Sequence, residues 1–158
     1  MTKICYLDFD GVLHSDQVYL SRDFGIHMQA EGRGLFEWIS ILDELLAPHR
    51  DVSIVLSTTW VAEFGLDVTR QVLPEALQER VIGATYNPEN LGYFDAWPRG
   101  KQVASDVKIR KPDRWFALDD DPSGWADSSR GHVIQTNGAT GISTSEVQEE
   151  IRRLLNSW

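Results

Sequence analysis

Short, unbroken apolar runs separated by helical stretches constrain this chain more than any other feature. Lys3–Leu7 reads KICYL and Val52–Leu56 reads VSIVL; residues 115–118 (WFAL), with shorter runs at 80–83 and 132–135, continue the series. Apolar residues at consecutive positions mark strands that are covered rather than half-solvated. Between them, Leu35, Trp38, Ile39, Leu42, Leu45 and Leu46 recur at helical spacing, bracketed by Gly34 and Pro48. A helix over 60–71 has Val61, Phe64 and Val68 on one face. Short helices are expected over 75–80, after Pro74, and over 100–107. A last helix runs over 144–155, opened by a Ser143–Glu146 capping box. Strands that alternate with helices along a chain pair in parallel and carry helices on both faces. The predicted fold is α/β: a three-layer, Rossmann-like parallel sheet.

Two stretches fit no long element. Residues 11–33 read as loop or a small flap, and 85–98, with Tyr86, Tyr93, Phe94, Trp97 and two prolines, as an aromatic loop. Neither has room for an independently packed domain, so one domain over 1–158 without a large cap is expected. An apolar content of 42% with six Trp excludes a disordered chain. The formal net charge of -9 works against nonspecific binding to nucleic acid or anionic lipid. No stretch approaches the ~20 apolar residues of a membrane span. Cys5, the only cysteine, lies in an apolar run and reads as a buried structural thiol. A strand pattern begins at once without a signal-peptide plan, so a cytoplasmic protein is expected.

In parallel sheets chemistry gathers beyond the carboxyl ends of the strands. The residues immediately after each run are therefore informative: Asp8 and Asp10 after the first, Ser57, Thr58 and Thr59 after the second, Asp119, Asp120 and Asp121 after WFAL. Clustered carboxylates need a counter-charge, and hard oxygen donors suit Mg²⁺. One carboxylate can then attack an electrophile while a neighbour moves protons. Ser57 and Thr58 can donate to phosphate oxygens, or cap the following helix. Lys101, in the first turn of the predicted 100–107 helix, is the candidate to neutralise transition-state charge, with Arg99, Lys108 and Lys111 as alternatives. In a regular strand Asp8 and Asp10, two positions apart, would share one face of the sheet. The chain is expected to leave strand geometry at 9–11, which suits Gly11. His14 reads either as a substrate contact or as a solvated loop histidine.

DFDGVL at 8–13, VLSTT at 55–59, a lysine, and FALDDD at 116–121 resemble, in order, the four motifs of the haloacid dehalogenase (HAD) superfamily. Within it the chain is similar to the small HAD domains of bacterial Swiss-army-knife RNA-repair proteins. The resemblance implies a Mg²⁺-dependent phosphohydrolase in which Asp8 forms an aspartyl-phosphate. Asp10 would protonate the leaving group, activate water and give Mg²⁺ its backbone carbonyl. Ser57 and Lys101 would hold the phosphoryl group, with Gly11 and Thr58 beside the substrate. Asp8, Asp119 and Asp120 would hold the metal. A site without a cap suits a large phosphorylated substrate such as a nucleic-acid end, on which the aromatic loop could stack. The alternative is a catalytically weak module that keeps the fold for binding or regulation.

Overall fold

The strands form where both faces of the chain can be covered. In the computed structural model, which describes residues 1–90 and 96–158, the chain runs from β1 (Lys3–Leu7) through a hairpin of β2 (Val18–Ser21) and β3 (Gly25–Met28) to α1 (Ile39–Leu46) and β4 (Val52–Leu56). Three short helices come next: α2 (Trp60–Phe64), α3 (Leu66–Gln71) and α4 (Glu75–Gln78). Then come β5 (Val81–Ala84), α5 (Arg99–Arg110), β6 (Arg114–Asp119), β7 (Val133–Gln135) and α6 (Ser145–Asn156). Five strands make one parallel sheet in the order β5-β4-β1-β6-β7. β1 is central, so the motif at its carboxyl end emerges between the ends of β4 and β6.

Both faces are covered, as the unbroken apolar runs require. Cys5 and Leu7 of β1 join Ile54, Leu56, Phe116 and Leu118 under α1 and α6, in a core that also takes Leu42, Leu46, Ile151 and Leu155. The intervening residues Ile4 and Tyr6 pack with Val55 and Ala117 against Val103 of α5. This second face is smaller and has a polar lock. The Tyr6 hydroxyl donates to Asp106 Oδ1 at 2.8 Å, and Arg110 Nε donates to the same oxygen at 2.7 Å. The lock ties α5 to the central strand and so fixes where the helix begins. No helix among the described residues is long and apolar enough to cross a membrane.

One expectation narrows and three shift. The 11–33 stretch holds the β2–β3 hairpin, a small flap whose Tyr19, Leu20 and Phe24 are exposed; each strand has four residues, too few for a visible period. The 60–71 helix breaks at Gly65, whose φ of +82° ends α2 and starts α3. α1 starts at Ile39, after Phe36 takes a φ of +56°. The expected capping box does not form; a single N-cap one residue on replaces it. Thr144 Oγ1 accepts the Val147 N–H at 3.4 Å, while the Ser143 hydroxyl donates to the Thr140 carbonyl at 2.6 Å. Cys5 is fully buried, as expected. Tyr93 and Phe94 of the aromatic loop lie outside the described residues.

Candidate active site

The central strand stops at Leu7, but its ladder continues one step further. Asp8 N–H donates to the Leu118 carbonyl at 3.1 Å, and Ser57 N–H donates to the Leu7 carbonyl at 2.8 Å. These bonds seat Asp8 between the ends of β4 and β6, beside Ser57 and Asp119. One carboxylate oxygen from each of Asp8, Asp119 and Asp120 lies within 4.8 Å of the other two. Asp8 and Asp119 are almost wholly buried, at 4% and 1% exposure. Burial pushes the Asp8 carboxyl well up and, with neighbouring Asp119 and Asp120, outweighs the opposing pull of Arg99. Burial likewise raises Asp119 to about 6, and it raises Asp120.

These three groups fit a divalent cation. Asp119 Oδ2 is buried without a hydrogen-bond donor. Arg99 Nε faces this oxygen at 3.5 Å but does not hydrogen-bond it, and a buried lone pair left without a donor costs stability. Three desolvated carboxylates supply the hard oxygen donors that such a cation prefers, and the cation would offset their repulsion. The backbone around Asp120 leaves no space for added atoms. Gly11 has a φ of +75°, and a Cβ there would press against the Asp120 carboxylate, while one on Gly138 would press first against the Asp16 carboxylate and then against Asp120. The Thr136 hydroxyl anchors the Gly11 carbonyl at 2.7 Å. Asp121 stands apart from the trio: its N–H donates to Asp119 Oδ1 at 3.0 Å, and its own Oδ1 accepts the Ser123 N–H at 2.8 Å.

The cation that reaches the acids is Arg99, and the expectation for Lys101 needs correcting. Arg99 Nη1 donates to Ser57 Oγ at 3.2 Å, Nη2 lies 3.7 Å from Asp8 Oδ1, and Nε lies 3.5 Å from Asp119 Oδ2. Burial works against its charge, but Asp8, Asp119, Asp121 and Asp120 outweigh that and raise its pKa. Lys101 is exposed, with Nζ 4.5 Å above the Trp97 ring. Helix geometry separates the two: positions two apart differ by about 200° around the axis, so one can face the acids when the other cannot. Lys108 lies about 14 Å further along α5. Ser57 and Thr58 are buried at the end of β4. Thr58 Oγ1 accepts the Trp60 N–H at 3.3 Å, the helix-start bond read as an alternative to phosphate contact.

Asp10 does not join the trio. Its Oδ1 lies 2.7 Å from His14 Nε2 and accepts the Trp60 indole N–H at 3.0 Å. His14 Nδ1 accepts the Phe36 N–H at 3.0 Å, so Nε2 carries the proton that is donated to Asp10. His14 is fully buried, packed edge-on against Phe36 and beside Trp60, so the solvated-loop reading is corrected. The turn expected at 9–11 is present, since Val12 and Leu13 N–H both bond the Phe9 carbonyl. Sequence reasoning missed Trp60, Thr136 and Gly138. Trp60 had one signal, its place in the first turn after the hydroxyl motif.

A five-stranded parallel sheet with an acid trio at the end of its central strand, no large cap and only a hairpin flap defines a HAD-like fold. A family model described as the HAD domain in Swiss Army Knife RNA repair proteins matches residues 4–147, and the chain belongs to that family. Comparisons with curated proteins and with solved structures find no match.

Proposed function

We propose that this chain is a Mg²⁺-dependent phosphomonoesterase working through an aspartyl-phosphate on Asp8. The observation that carries the reading is the buried trio of Asp8, Asp119 and Asp120, with the orphaned Asp119 Oδ2 and with Arg99 and Ser57 alongside. HAD-like domains are typically hydrolases, which agrees with it. Bound at the trio, Mg²⁺ would supply positive charge that favours an ionised Asp8 and stabilises the phosphoryl oxygens.

The chain's own groups divide the work. The Asp8 carboxylate attacks phosphorus as the ester P–O bond breaks, and the departing alkoxide takes a proton from Asp10. Water then attacks the aspartyl-phosphate, Asp10 takes a proton back, and phosphate leaves with Asp8 restored. Arg99 and the Ser57 hydroxyl bind the equatorial oxygens in both steps. With only a hairpin between β1 and α1, the terminal phosphate of a large substrate can reach this edge. The family description, which names RNA-repair proteins, favours a nucleic-acid end.

The test is hydrolysis of p-nitrophenyl phosphate by the wild type and by Asp8→Asn, with Mg²⁺ and with chelator. Turnover is expected to need both Asp8 and metal, and acid-quenched wild type is expected to carry a phosphoryl mass on Asp8. Identical rates for wild type and Asp8→Asn would defeat the reading.

A further inference from the structure

Between the β2–β3 hairpin and α2 lies an open recess of about 100 Å³, lined among others by Asp10, Tyr19, Leu20, Ile26, Glu63 and Phe64. Of the active-site acids, Asp10 alone lines it; Asp8, Asp119 and Asp120 do not. Its outer wall is apolar and open to water, with Tyr19 48% and Leu20 57% exposed. Its charged lining is acidic, Asp10 and Glu63, with no Lys or Arg among the described residues. We propose that this recess is a leaving-group subsite, which receives the alcohol portion of the phosphate ester and selects an uncharged, apolar one.

The inference rests on the phosphomonoesterase reading above, and proton transfer gives it direction. The departing oxygen must lie within hydrogen-bond reach of the acid that protonates it. Asp10 Oδ1 is already taken by His14 and Trp60, both buried. The alcohol's carbon skeleton extends from Asp10 into space beside it, and this recess, which Asp10 lines, is such a space. Apolar walls favour an apolar skeleton. An alcohol with its own negative charge meets the Glu63 carboxylate without a compensating cation, which is discrimination by repulsion. A nucleic-acid end satisfies this through its terminal nucleoside, whose sugar and base are uncharged.

The experiment compares phenyl phosphate with 3-carboxyphenyl phosphate, two esters of similar size whose phenols are nearly equally acidic. The wild type is expected to show kcat/KM about tenfold higher on phenyl phosphate. Glu63→Gln is expected to narrow that ratio. Leu20→Ser is expected to lower kcat/KM on phenyl phosphate through KM, with inhibition by inorganic phosphate unchanged. Both positions are exposed, so neither substitution threatens the fold. Equal kcat/KM on the two esters, or a ratio that neither variant moves, overturns the subsite. Absence of turnover on both esters overturns the phosphomonoesterase reading instead.

Discussion

Asp8 and Asp10 are separated by one residue, yet the regions they occupy have opposite characters. Asp8 sits on the charged side, among Asp119, Asp120 and Arg99, where burial and like charge raise its pKa. Asp10 sits on the aromatic side, its Oδ1 held by two N–H donors from His14 and Trp60, and it lines an apolar recess. The turn that starts at Phe9, just after β1 ends at Leu7, makes the divergence possible, because Asp10 no longer follows strand geometry. Under the proposed mechanism these surroundings suit Asp8 to cation and phosphoryl binding and Asp10 to an oriented proton transfer.

The comparison breaks most visibly at Arg99, the cation that belongs to the charged side. Arg99→Met is expected to lower kcat/KM by about 10²–10³. Arg99→Lys keeps the charge but cannot reach Ser57, Asp8 and Asp119 at once, and should recover only part of that loss. A full recovery in steady-state assays would show that the fork geometry is irrelevant.

The aromatic side is sharpened by a smaller change at His14. His14→Ala is expected to slow phenyl phosphate hydrolysis about tenfold and p-nitrophenyl phosphate hydrolysis much less, since a good leaving group needs little help from Asp10. His14→Gln, which retains a donor, should restore part of the rate on phenyl phosphate. Equal slowing on both esters would assign His14 to packing alone.

The mildest test separates the two sides by pH. An acid whose folded-state pKa is raised binds more protons folded than unfolded, so it stabilises the fold below its unfolded value and loses that contribution as pH rises through the folded one. For Asp119 the window runs from 3.8 to about 6. In chelator, the melting temperature is expected to fall across that window. Added Mg²⁺ should raise it above pH 6 and do little below pH 4. Asp119→Asn should flatten both responses, and a variant that keeps the wild-type profile would remove Asp119 from the metal site.

The sheet was legible because strands covered on both faces leave unbroken apolar runs; β1 and β4 begin and end where KICYL and VSIVL do. The acids were legible for a related reason, since a carboxylate directly after such a run has few structural uses. What escaped depended on direction around a helix or on contacts between distant segments. Lys101 and Arg99 differ by two residues along the chain but by half a turn in space. Trp60 reads as core from its side chain, and it is core; that its indole N–H also reaches Asp10 appears only when α2 is set against the first turn. Gly65 looks like one more helical position until its φ is known.

The ring cluster of Phe9, Phe36, Trp60 and His14 has a practical consequence for engineering. Phe9 touches Phe36 and Trp60 edge-on, and Trp60 and His14 both hold Asp10. Under the proposed mechanism, selection for heat resistance acting on those rings also retunes proton delivery. Under the proposed chemistry, stabilised variants from this corner in a directed-evolution campaign are best sorted by ester preference, because Trp60 belongs to the ring cluster and also lines the recess.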